Sequence, residues 1–178
     1  MDVRTALKEQ YHAGLAMLAQ CIEKCPDELW TSSNGPDGPV RAFWRIAWHA
    51  LYFTDNYLAQ DVEAFEASAK AWPAPISAKL GLHTGRRAVD VEPYELPLEA
   101  DPVTRAELRE YLTYVDGVID STVDGLDLAR EDSGFPWYPN TSKLSHQLLN
   151  LRHIQGHVGQ LSELLMARGI DIDWVSQA

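Results

Sequence analysis

The sequence predicts an all-α protein, a four-helix bundle with long connections between helices 2 and 3 and between helices 3 and 4. Apolar residues recur at three- and four-residue steps in four separate blocks, the period of a helix that buries one face. Stretches rich in proline and glycine separate the blocks. Capping residues stand where later blocks begin, and proline or glycine where blocks end. The 178 residues suit one domain, 1–178, with a full core.

The first block runs from about Val3 to Cys25, with Leu7, Tyr11, Gly14, Leu15, Leu18 and Ile22 on its apolar stripe, and Pro26 ends it. The turn-forming run Asn34-Gly35-Pro36-Asp37-Gly38-Pro39 follows. The second block runs from about Pro39, which suits a first helical position, to Phe65. Its stripe is Phe43, Ile46, Ala47, Ala50, Phe53, Tyr57 and Leu58. A connection from about Ala69 to Asp101 holds Pro73, Pro75, Pro93 and Pro97, and loops of that length commonly cover a site.

The third block, about Val103 to Leu126, opens on Thr104-x-x-Glu107, a capping box, and carries Leu108, Leu112, Val115 and Ile119. Gly134-Phe135-Pro136-Trp137-Tyr138-Pro139 interrupts the next connection. The fourth block, about Thr141 to Arg168, has Thr141 or Ser142 to cap it and Gly169 to stop it. Leu144, Leu148, Leu151, Ile154, Leu161, Leu164 and Leu165 are expected to face inward. The long connections leave room for crossovers, so a simple up-down order is not assumed.

Charge and composition exclude several classes. Hydrophobic residues make up 46% of the chain, which excludes a disordered protein, and the net charge is −11. Phosphate-rich partners need a basic surface, so neither nucleic acid nor an anionic membrane is expected as a partner. The N-terminus lacks the pattern of a signal peptide, and the most apolar stretch, Ala42 to Phe53, is interrupted by Arg45 and His49. Cys21 and Cys25, one helical turn apart, read as reduced thiols, and the expected compartment is the cytoplasm.

The chemistry concentrates in the fourth block. His153 and His157 are four residues apart, so on a helix their side chains lie about 40° apart around the axis, close enough to share one metal ion. His146 lies two turns earlier, roughly 10 Å along the helix, and reads as a pocket residue. Of the remaining histidines, His49 is the best third ligand. It stands among Trp44, Ile46, Ala47, Trp48, Leu51, Tyr52 and Phe53, and a buried imidazole needs a partner for its nitrogens. His12 has more polar neighbours and His83 lies in the long loop. Ile154 follows His153 where a zincin helix needs glutamate, and Glu9-x-x-His12 alone cannot make a di-iron site. Three histidines without a carboxylate leave coordination positions open for water or substrate, the pattern of a catalytic site. Arg45 and Asn56 beside His49, and Asn150 and Gln160 beside the pair, are candidates for a substrate pocket with His146.

The string Trp48-His49-Ala50-Leu51 and the string His153-x3-His157-Val158-Gly159-Gln160-Leu161 together resemble the DinB-like (YfiT-like) superfamily of four-helix-bundle metalloenzymes. The resemblance covers essentially the whole chain in helix order and length. It implies that His49, His153 and His157 bind a divalent ion, nickel or zinc first, with iron and manganese as the other options. It also implies a homodimer and a small-molecule substrate. Characterised relatives include thiol S-transferases that use bacillithiol, mycothiol or glutathione, and a mycothiol-dependent isomerase. Val158 stands where the family typically has arginine. The expected function is therefore a metal-dependent thiol S-transferase. The alternatives are a metal-dependent hydrolase and a non-catalytic metal-binding or stress protein.

Overall fold

A computed structural model describes residues 2–32, 41–73 and 101–178 of the chain. Among these residues the structure is all-helical, without strands. The elements are α1 (Val3–Lys24), α2 (Asp27–Trp30), α3 (Phe43–Leu58), α4 (Val62–Ser68) with a 3-10 turn at Ala69–Ala71, α5 (Arg105–Gly125) and α6 (Lys143–Met166).

The local signals act as expected at most ends. Cys25 turns extended before Pro26 and stops α1. Thr104 and Glu107 form both bonds of the capping box on α5. Ser142 accepts from the Ser145 N–H at the start of α6. Gly169, at φ 73°, takes the left-handed conformation past its end, and the Ile170 N–H returns to the Leu165 carbonyl at 3.1 Å.

The second block departs from the periodicity. Pro39, its expected start, lies outside the described residues, and the helix begins at Phe43. It does not continue to Phe65. Ala59 becomes extended, and Asp61 caps a new helix by accepting from the Ala64 N–H at 2.9 Å. The carbonyls at this break are met from α6. Lys143 Nζ donates to the Ala59 carbonyl and Gln147 Nε2 to the Tyr57 carbonyl, each at 2.8 Å. The lysine charge also lies favourably at the negative end of α3, although burial pushes its pKa down to about 8.

Gly134 fits against the same break. Its φ is 81°, and a Cβ there would collide with the Gln60 carbonyl and stand 2.7 Å from Asp61 Cβ. Gly134→Ala should therefore destabilise the protein by about 2–3 kcal/mol, combining backbone strain with a clash. Urea unfolding checks this, and an unchanged midpoint would contradict the close fit.

Packing runs from α3 to α6, α6 to α1, α1 to α5, and α5 back to α3. Contact registers give the directions. His49 meets His153 while Tyr57 meets Gln147, so α3 and α6 are antiparallel. Lys8 meets Asp124 while Glu23 meets Arg109, so α1 and α5 are antiparallel too. Asp55 meets Tyr111 while Gln60 meets Asp127, so α3 and α5 run the same way. Parallel helices cannot be joined by a short hairpin connection. Gly14 on α1 lets α6 come close: a Cβ there would stand 3.3 Å from Ile154.

The core is aromatic along α3, where every residue of the helix is buried. The inward face of α6 is unexpectedly polar, with Lys143, His146, Gln147 and Asn150 all buried. Of the leucines expected inside, Leu148 is 55% exposed, and Leu144, Leu151 and Leu164 are only half-buried. Among the described residues no helix is long and apolar enough to cross a membrane. Cys21 and Cys25 are both free and buried.

Candidate metal centre

The three histidines singled out from sequence converge. α3 places His49 opposite the one-turn pair His153 and His157 of α6. His153 Nε2 lies 3.2 Å from His49 Nε2 and 3.1 Å from His157 Nε2. One nitrogen from each ring lies within 4.8 Å of the others, so these three residues could hold one metal ion.

The donor set fits that task. A tetrahedral ion with nitrogen ligands at about 2.0–2.1 Å separates them by about 3.3 Å, close to the spacings in the cluster. Three neutral imidazoles do not account for such a meeting point by themselves, because a single N–H···N bond serves only two of them. All three are held in the neutral, ligating form. Burial pushes His49 down to about 2, helped by the repulsion that a protonated His157 or His153 would exert on it. Burial, then His157, pushes His153 down to about 3. Burial lowers His157 as well, opposed by its bond to Gln160.

The surroundings orient the rings. His157 Nδ1 lies 2.8 Å from Gln160 Oε1, so an Nδ1–H donated there leaves the Nε2 lone pair for the cluster. His153 Nδ1 is buried without a hydrogen-bond partner, and ring packing holds it instead. Phe53 stands 4.8 Å from the His49 ring and 5.8 Å from His153, an apolar wall on one side.

Gln160, a pocket candidate from sequence, is thus in a position to orient His157. Its side chain is exposed, so Gln160→Leu should leave the fold intact and weaken metal affinity about 10- to 100-fold. Competition with a chromophoric chelator measures this, and an unchanged Kd would remove the positioning role.

The other pocket candidates scatter. Arg45 is buried one turn before His49, its guanidinium 4.6 Å from the centre of the Trp44 ring. Asn56 is buried two turns after His49 on the same stripe, and neither atom of its amide has a hydrogen-bond partner. Asn150 donates to the Thr54 carbonyl at 2.9 Å and ties α6 to α3. His146 is fully buried against Tyr57, Phe135 and Tyr138, away from the cluster. Both its ring nitrogens lack partners, and burial, then the Lys143 charge, pushes it down to about 3.

Trp137 packs on Phe135 and is 43% exposed, while the Tyr138 hydroxyl donates to the Tyr57 hydroxyl at 3.3 Å. His12 stays outside the cluster, bound at 2.7 Å to Asp116 and at 3.3 Å to Asp120 on α5. His83 lies outside the described residues. Phe53 was read from sequence only as core, and its period alone could not set it beside histidines of another helix.

Fold and site together define a helical protein with a partly buried three-histidine cluster able to hold a metal ion. No family model, curated protein or solved structure matches the chain.

Proposed function

We propose that the protein is a divalent-metal enzyme of DinB-like, four-helix-bundle architecture, with one nickel or zinc ion held by His49, His153 and His157. The convergence of their three Nε2 atoms carries this reading. An ion there supplies Lewis acidity, which makes a thiol or water bound beside it a nucleophile at neutral pH. The protein's own residues prepare for it. Burial keeps the imidazoles neutral, and Gln160 fixes the tautomer of His157. Phe53 excludes water from one side, which suits a soft thiol better than a hydroxide. The substrate class is accordingly a low-molecular-weight thiol attacking an electrophilic carbon.

The test uses protein purified without a histidine tag, loaded with nickel or zinc, and assayed with bacillithiol, mycothiol or glutathione and an aryl halide. Turnover with one thiol, lost on chelation and restored by metal, is expected. Metal-dependent ester hydrolysis without thiol turnover would replace this reading with the hydrolase. Stoichiometric metal with neither activity would make the protein a non-catalytic metal binder.

A further inference from the structure

A cavity of about 340 Å³ lies between α3, α4 and α5, on the side of α3 that faces Tyr111 rather than α6. Asp55, Gln60 and Ser68 line it with Tyr114, Thr122 and Gly125 of α5, and aliphatic side chains such as Leu58 and Val118 complete the wall. The volume is at the lower end for a small-molecule site, about 300–1,000 Å³.

Asp55 is the unusual feature. It is only 4% exposed, and its two hydrogen bonds fall on one oxygen: Oδ2 accepts from the Tyr111 hydroxyl at 2.8 Å and from Trp72 Nε1 at 2.9 Å. These bonds join α3, α5 and the stretch after α4, and they account for half of the carboxylate. Both donors are neutral. Among the described residues no lysine, arginine or histidine lines the cavity. A buried carboxylate without a cation is costly, so burial pushes its pKa up to about 6, and a cation beside it would relieve that cost. Gln60 adds an independent sign. Its Oε1 accepts from the Asp127 N–H at 2.8 Å, but its Nε2 is buried without a partner. Among the described residues the cavity thus has a carboxylate without a cation and a neutral donor without a partner, on largely aliphatic walls.

We propose that this cavity is a second ligand site, separate from the histidine cluster, for a short aliphatic molecule with a primary ammonium group and a hydrogen-bond acceptor. The ammonium pairs with Asp55, Gln60 Nε2 donates to the acceptor, and the methylene chain lies on Leu58 and Val118.

The probes are 4-aminobutan-1-ol and its uncharged counterpart butane-1,4-diol, titrated into the whole protein while the Trp72 indole N–H is followed by NMR. The amino alcohol should shift that resonance saturably, and the diol should bind at least about tenfold more weakly. Asp55→Asn should remove the preference. Because that change also touches the bonds to Tyr111 and Trp72, Gly125→Leu is the second variant. Gly125 lines the cavity and a Cβ there meets nothing within 4 Å, so a leucine fits at the cavity wall without a clash and makes no contact with the Asp55 bonds through its Cβ. It should abolish amino alcohol binding while metal uptake at the histidines stays unchanged. Equal binding of the two probes, no saturable shift, or undiminished binding in Gly125→Leu would overturn the proposal.

Discussion

Saturation with zinc or nickel should raise the unfolding free energy by about 4 kcal/mol at a free-ion concentration a thousandfold above Kd. His153→Ala should erase that gain. His153 is the middle member of the cluster, with its Nε2 within 3.2 Å of both neighbours. Removing it leaves His49 and His157 on different helices with no ligand between them. The ion would bind the folded state and only weakly the unfolded chain, so its whole affinity appears as stability. For a chain of this size the gain corresponds to a rise in melting temperature of about 8–16 °C. The comparison is made within each protein, with and without ion. Any change in packing caused by the alanine therefore cancels. A rise of the same size in His153→Ala would place the ion elsewhere.

The second large effect concerns His146. His146→Phe should stabilise the protein by about 1–3 kcal/mol at neutral pH, because two buried nitrogens without partners disappear while a ring of similar shape remains. The same substitution should flatten the acid limb of the stability curve. The folded pKa of about 3 lies below the unfolded value of about 6.5. Between those values the unfolded chain binds the extra proton. The contribution of a neutral His146 is therefore complete above pH 6.5 and is lost as pH falls through the folded pKa. The loss is on the order of 5 kcal/mol once the pH is below the folded pKa.

Asp55 works in the opposite sense. Its raised pKa, about 6, makes its contribution largest below the unfolded carboxylate value and lost as pH rises through 6. Urea unfolding of both proteins at a series of pH values isolates His146, since the other groups are common to both. Parallel curves would show that His146 has a partner or protonates freely in the folded state.

Much of the site was legible because its information is local. The four-residue spacing of His153 and His157 needs only a helix to bring two imidazoles close enough to share an ion. His49 was legible from its apolar neighbours, because burial makes an imidazole conspicuous. The capping box of α5, Pro26 after α1 and Gly169 after α6 act within a few residues of themselves, and each end forms where they predict.

What escaped depends on contacts distant in sequence. Ala59-Gln60-Asp61 contains neither proline nor glycine. The break there rests on Lys143, Gln147 and the close approach of Gly134. The buried face of α6 was legible only in part, with Ile154, Leu161 and Leu165 inside as expected, for a related reason. Counting apolar residues put Leu148 inside, whereas the positions that turn inward include Lys143, His146, Gln147 and Asn150, which bind α3 carbonyls or pack among aromatics. Asp55 left no trace at all, since one carboxylate in an apolar helix acquires meaning only when Tyr111 and Trp72 reach it.

The most direct test is equilibrium metal binding to the protein purified without a tag, measured by chelator competition and elemental analysis together, beside His49→Ala. The three-histidine centre predicts one zinc or nickel ion per chain. It also predicts an affinity at least about a hundredfold weaker when His49 is removed, since one of three ligand bonds is gone and only the pair on α6 remains. Unchanged stoichiometry and affinity in His49→Ala, or no tight binding by the unaltered protein, would contradict it.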